Sequence, residues 1–292
     1  MEPFTIAGVS YWPQMWKPRR NLPMLLKHVR TAAEMGAQVI ATPEGCLDGY
    51  PTRDLHRRTL RLEHRDAPGY AERLEQFRAR HLAVADEIKT KYIPAVQAEA
   101  AKLGVYLFVN ALDRRRGKSV YNTTFVIDPG GKIVGKYDKV HADFEVVNTL
   151  GGSHRVFQTP HAPIGVLICA DRQYPEAVRS AALAGARVLI INSYGMWGEG
   201  ANERFIRQRA YENGMFVLFC HPGETVLVSP EGRIIAATCG WENVVVRTID
   251  PNQAVGRGCF GNAHMASTYL TTPDNPAYAR RARDRSERNR KA

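Results

Sequence analysis

The sequence predicts a layered α/β domain in which two β-sheets lie between helices. Hairpin signals and strand–helix units alternate along one chain, and the apolar runs are short and bounded by turns. No Gly/Ser-rich or Pro-rich linker and no short repeat divides the 292 residues. With 44% hydrophobic and 24% charged residues, the chain can bury a large core, which excludes disorder and fibrous structure.

Phe4–Val9 is an apolar run that reads as the first strand. Asn21–Met35 carries apolar residues at helical spacing, with Asn21 as the expected N-cap and Gly36 as the stop. Gln38–Thr42 is a buried strand running into Pro43-Glu44-Gly45. Ala71–Lys102 is rich in helix formers and stops at Gly104. Strands are expected at Val105–Asn110, Tyr121–Ile127 and Lys132–Tyr137, the last two joined by the turn Asp128-Pro129-Gly130-Gly131. Ile164–Ile168 is a further strand, and a helix over Pro175–Leu183 has proline in its first turn. Val188–Asn192 reads as strand and Asn202–Asn213 as helix. Strands follow at Val217–Cys220, Thr225–Ser229, Arg233–Ala237 and Val244–Ile249, with Ser229-Pro230-Glu231-Gly232 as a second hairpin turn. The domain is expected over 1–255. Residues 256–292 lack periodic apolar pattern and read as an arm that wraps a partner subunit or as a partly loose tail.

Forty basic against 29 acidic residues leave a net charge of +11. The excess gathers in Arg114-Arg115-Arg116 and in Arg280–Lys291, without interleaved aromatics. That pattern fits a solvated arm rather than a nucleic-acid reader. The longest apolar runs, Val188–Ile191 and Val244–Val246, fall far short of the ~18 residues of a membrane span. The N-terminal segment has no basic stretch followed by an apolar one, so the expected location is the cytoplasm. Cysteines stand at 46, 169, 220, 239 and 259, an odd number without CxxC. A disulfide framework or zinc ribbon is therefore not expected.

Three segments bear chemistry. Glu44 closes a buried strand, where a carboxyl can trade protons near neutrality; alone it reads more plainly as a surface turn residue. Gly135-Lys136-Tyr137-Asp138-Lys139-Val140-His141 ends a hairpin strand with two lysines, either solvated or aimed at a developing oxyanion. Ile164–Glu176 runs from an apolar strand through Cys169 into a helix about six residues later. This turn lifts a side chain off the sheet edge and leaves the Ala170 N–H to face a bound carbonyl; the plainer reading is a buried structural cysteine. Three strand ends on one sheet edge converge, so Glu44, Lys139 and Cys169 can meet.

With these motifs in this order, and with the weaker RAYENGMFV at 209–217, the sequence resembles the nitrilase superfamily of carbon–nitrogen hydrolases over roughly residues 4–250. The resemblance implies a four-layer α-β-β-α sandwich and a Glu-Lys-Cys triad: Glu44 as acid and base, Lys139 as oxyanion stabiliser, Cys169 as nucleophile. Lys136 stands at the wrong distance from His141 for the lysine role. Glu145 matches the family's second glutamate. The implied reaction cleaves a non-peptide C–N bond through a thioester and releases ammonia, with no metal or organic cofactor. Implied substrates are small amides or N-carbamoyl compounds, since Cys169-Ala170-Asp171-Arg172 is similar to the nucleophile segment of N-carbamoyl-amino-acid amidohydrolases. There two arginines bind the substrate carboxylate; here Arg172 is present and Gln173 replaces the second. Arg172 either grips a carboxylate or pairs with Asp171 or Glu176. Asn192 and Trp197 follow a strand that ends near the site and are expected to line the pocket, Trp197 being equally readable as packing core. Nitrile hydrolysis and an inactive binding protein of the same fold are the alternatives. A homo-oligomer, dimer or tetramer, is expected from the resemblance. His141 and His221 lie in no Cys–His protease signature.

Overall fold

The structure, a computed structural model, describes residues 1–53, 65–142, 145–195, 200–240 and 242–254. The first sheet has the order β12-β1-β2-β3-β4-β5, built from β1 (Phe4–Tyr11), β2 (Val39–Ala41), β3 (Tyr106–Arg114), β4 (Val120–Ile127), β5 (Ile133–Asp138) and β12 (Glu242–Ile249). The second has the order β11-β10-β9-β8-β7-β6, from β6 (Arg155–Gln158), β7 (Pro163–Ile168), β8 (Val188–Asn192), β9 (Phe216–His221), β10 (Glu224–Val228) and β11 (Ile234–Cys239). Helices α1 (Pro18–Glu34), α2 (Tyr70–Glu87) and α3 (Ile93–Leu103) cover the first sheet; α4 (Pro175–Leu183) and α5 (Ala201–Asn213) cover the second. This is the expected α-β-β-α sandwich.

Strand period dictates the layering. Along β1, Phe4 and Ile6 point into the core between the sheets, while Ala7, Val9 and Tyr11 pack under the helices with Leu25 and Val29 of α1. The sheets approach closely at Gly8. A methyl there would stand 2.5 Å from Thr225 Cγ2 and 2.9 Å from Cys220 Sγ, so only hydrogen fits. Both predicted turns close antiparallel hairpins, β4–β5 and β10–β11.

Three elements differ from expectation. Helix α1 begins at Pro18, whose fixed φ suits a first turn, and Asn21 is not its cap. The Asn21 amide instead donates to Gln14 O and Leu47 O and accepts from Gln14 N–H, pinning two loops. The predicted helix over 71–102 is interrupted by a π turn, Ile88–Tyr92, just before Pro94. Pro94 has no N–H to continue the ladder and crowds the carbonyl four residues back, which the wider turn relieves. Strand β6 has no counterpart in the prediction. It is a half-buried edge strand of four residues, without an apolar run to announce it. Among the described residues no helix is long and apolar enough to cross a membrane. The extension over 256–292 lies outside them.

Candidate active site

The site forms where ends of strands from both sheets meet. After β2 the chain turns at Glu44, which is fully buried. Its N–H donates to Ser193 O of the other sheet at 3.2 Å, and the next N–H, of Gly45, donates to Asn110 Oδ1 at 2.7 Å. Gly45 has φ +64°, and a methyl on it would lie 2.5 Å from Tyr50 N. Gly45→Ala is therefore expected to lower stability by on the order of 2 kcal/mol and to cut turnover by displacing Tyr50; a thermal melt and an ammonia-release assay read the two effects.

Lys139 follows β5 and is 1% exposed. Its Nζ donates to Glu44 Oε1 at 2.7 Å, to Glu145 Oε1 at 2.5 Å and to the Tyr50 hydroxyl at 3.3 Å. Tyr50 OH in turn donates to Glu145 Oε1 at 2.8 Å. Asn122 of β4 donates to Glu44 Oε1 at 2.8 Å and is held by Asn110 Nδ2 at 3.0 Å. Burial alone would lower the lysine's pKa, but the Glu145 and Glu44 carboxyls raise it well above its ordinary value. Lys139 is thus a permanent ammonium.

Cys169 closes β7 at φ +46°, a strained conformation for a residue with a Cβ. A single 3-10 turn, Cys169–Gln173, separates it from α4. Asp171 in this turn binds the Lys139 segment to the cysteine segment. Its Oδ1 accepts from His141 N–H at 2.8 Å, and its Oδ2 accepts from Tyr137 OH at 2.7 Å and Ile168 N–H at 3.0 Å. Burial would raise the Asp171 carboxyl; hydrogen bonds from His141 and Tyr137 bring it below its usual range, so it stays ionised.

The electrostatics of Glu44 and Cys169 run in opposite directions. Burial tends to raise the Cys169 thiol, but the Lys139 ammonium, then the Arg172 guanidinium, with hydrogen bonds from the Ser193 hydroxyl and the Tyr194 N–H, bring it down to about 6. Glu44 is raised well above the carboxylate range, first by burial and then by the cysteine's negative charge, against the opposing pull of Lys139. At neutral pH the arrangement favours thiolate, ammonium and neutral carboxylic acid together. Since Glu44 Oε1 accepts two hydrogen bonds, the proton belongs on Oε2, which is buried with no partner among the described residues.

Glu44, Lys139, Cys169 and Glu145, far apart in sequence, are thus gathered into one buried cluster. The Ala170 N–H lies in the first turn after Cys169, where no intrahelical acceptor reaches it. Two other expectations are corrected. Arg172 neither pairs with Asp171 or Glu176 nor offers a free fork. It is fully buried, with Nη1 donating to Cys169 O at 2.6 Å and Nη2 to Asn202 Oδ1 at 2.5 Å and Gly195 O at 3.2 Å. Both terminal nitrogens brace the nucleophile's turn, so a bidentate grip on a carboxylate has no room. Asn192 is fully buried, with its amide engaged on both sides. Its Nδ2 donates to Thr42 O at 2.6 Å and its Oδ1 accepts from Thr124 OH at 2.8 Å, tying the two sheets. Trp197 lies outside the described residues. His221, lowered to about 4 by burial, donates from Nε2 to Tyr194 O and accepts at Nδ1 from Gly223 N–H, both structural contacts.

Tyr50, Asn110, Asn122 and Asp171 were missed as parts of the site. Asn110 and Asn122 left one signal, polar residues inside otherwise apolar strands, which must find buried partners.

The model of the carbon–nitrogen hydrolase family matches residues 5–256, and the chain belongs to that family, within the nitrilase superfamily. It is similar to the omega-amidase NIT2 of Xenopus tropicalis, 27% identical over 254 residues that cover 79% of this chain and 83% of that protein. It is also similar to the 2-oxoglutaramate amidase of Bacillus subtilis, 28% identical over 168 residues, 52% of this chain and 64% of that one. Among solved structures, the amidase from Nesterenkonia sp. AN1, in a form with the acetamide moiety of fluoroacetamide on its active-site cysteine, shares the fold. The TM-score is 0.67 at 19% identity, over 88% of this chain and 94% of that one.

Proposed function

We propose that the protein is an amidase that hydrolyses small linear amides through a Cys169 thioester. The observation that carries this reading is the cluster itself, in which a thiol lowered to about 6 shares one buried site with the Lys139 ammonium and a carboxyl raised well above its usual range.

The Cys169 thiolate adds to the amide carbon. The developing oxyanion is held by the Lys139 charge and the Ala170 N–H, a contribution of about 3 kcal/mol per donor in comparable hydrolases. Glu44 passes the proton on Oε2 to the leaving nitrogen, the C–N bond breaks, and ammonia departs, leaving a thioester. Glu44, now ionised, takes a proton from water as that water's oxygen attacks the thioester. The tetrahedral adduct expels thiolate, gives the carboxylic acid and restores protonated Glu44. Glu145 holds Lys139 in place.

Amides are favoured over N-carbamoyl compounds because the Arg172 fork is engaged by backbone and Asn202. The names of the relatives, omega-amidase and 2-oxoglutaramate amidase, support the same choice. Among the described residues, Arg53 also stands beside the site with no carboxylate partner. Its Nη1 donates to Tyr194 OH at 3.2 Å, and the Tyr194 ring packs against Tyr50 with centroids 5.2 Å apart. We assign it to a carboxylate at the far end of the substrate. Arg53→Ala is expected to raise KM for carboxylated amides by on the order of tenfold and to leave neutral amides little changed; equal effects on both would remove Arg53 from recognition. An ammonia-release screen over carboxylated and neutral amides, N-carbamoyl amino acids and nitriles tests the activity. Turnover of nitriles or N-carbamoyl amino acids but not amides would overturn it.

A further inference from the structure

Helix α2 supplies no residue to the reaction above, yet it reaches the site through one buried side chain. His81, 1% exposed, lies with Nε2 2.7 Å from Asn148 Oδ1. Asn148 Nδ2 lies 2.7 Å from Glu145 Oε2, and the other oxygen of Glu145 takes the Lys139 ammonium. Chemistry fixes the direction of this chain. A carboxylate facing an amide can only accept, so Asn148 must turn its NH2 to Glu145 and its oxygen to His81. His81 must then donate from Nε2. Burial lowers its pKa, so the ring is neutral and its proton is on that nitrogen. Nδ1 is buried with no partner among the described residues, so nothing competes for the other tautomer. The ring is seated by the edge of Trp16, centroids 5.9 Å apart, and by stacking on Phe77 at 5.8 Å.

We propose that His81 is a positioning residue of the active site, whose N–H locks the Asn148 amide in the one orientation that lets Glu145 hold Lys139 beside Cys169. Without that donor the Asn148 amide can rotate and present its oxygen to Glu145, which loosens the ammonium. The proposal rests on the reading of Lys139 as the partner of the Cys169 thiolate.

Two substitutions at His81 separate hydrogen bonding from ring packing. His81→Phe keeps an aromatic ring between Trp16 and Phe77 and loses the donor. His81→Gln loses the ring and places an amide N–H near the Nε2 position. In the full-length protein, His81→Phe is expected to lose on the order of tenfold in kcat with KM little moved, and His81→Gln to retain clearly more. The rate of Cys169 alkylation by iodoacetamide at pH 7 should follow the same order, and it needs no substrate. Asn148→Leu should match His81→Phe, and the double variant His81→Phe/Asn148→Leu should be no worse than either, because the two act in series. A packing role predicts the reverse order, with His81→Phe the better enzyme, and that order or wild-type rates in all variants would overturn the proposal. Should His81→Phe fail to fold, Asn148→Leu against wild type carries the comparison. If the wild type releases ammonia from no amide, the amidase reading falls, and the alkylation order still tests the relay.

Discussion

Cys169→Ala abolishes ammonia release, with an expected fall in kcat on the order of 10⁴-fold or more, as for other hydrolases that lose their nucleophile. Neither Cys46 nor Cys220 can substitute. Cys46 is pushed up to about 12 and Cys220 is also raised, both mainly by burial, whereas Cys169 is lowered. The fold should survive. Alanine meets the strained φ of residue 169 no worse than cysteine does, and the turn stays braced by Arg172 on the residue 169 carbonyl and by Asp171 on Ile168 N–H. Circular dichroism and a thermal melt should therefore match wild type while the assay reads zero. Mass spectrometry of wild type quenched during turnover should show an acyl adduct on the Cys169 peptide, absent from the variant. Undiminished turnover would reject the nucleophile assignment.

Lys139→Met is expected to damage both chemistry and stability. The side chain fits the volume but removes the charge between Glu44 and Glu145, two buried carboxyls that Nζ now bridges at 2.7 and 2.5 Å. Breaking a buried ion pair by deleting one partner costs about 3–5 kcal/mol. Protonation of the stranded carboxyls offsets part of this, so the loss should shrink as pH falls. The Cys169 thiol also loses the largest influence that lowers it. In wild type the thiolate fraction should fall as pH drops through about 6, setting the acid limb of activity. In the variant the midpoint of iodoacetamide reaction should move upward, so alkylation at pH 7 slows. A midpoint that stays near 6 would mean that Lys139 does not set the thiolate.

The sequence disclosed most of the frame because its signals were local. Asp128-Pro129-Gly130-Gly131 and Ser229-Pro230-Glu231-Gly232 dictate hairpins, and Gly104 ends a helix at φ +65°, each by backbone sterics that neighbouring residues cannot override. The reacting residues were legible only together: each alone had a plainer reading, and it was Pro43-Glu44-Gly45, Gly135–His141 and Gly165–Glu176 in that order that resembled the carbon–nitrogen hydrolases. What the sequence withheld depends on partners distant along the chain. Nothing within Cys169–Glu176 shows that Arg172 will meet Asn202 and Gly195. Nothing around Val188–Asn192 shows that the Asn192 amide will be spent on Thr42 and Thr124 of the opposite sheet. Strand β6 and the Pro18 start of α1 escaped because neither carries a periodic apolar run.

The Asn192 tie has a wider meaning. Glu44 and Lys139 belong to one sheet and Cys169 to the other, and Thr42–Asn192–Thr124 is the rivet between them. Slippage of the two halves would therefore separate the sulfur from its acid. Loss of function under heat or denaturant should then precede or coincide with global unfolding and never lag behind it, making turnover itself a gauge of whether the halves are in register.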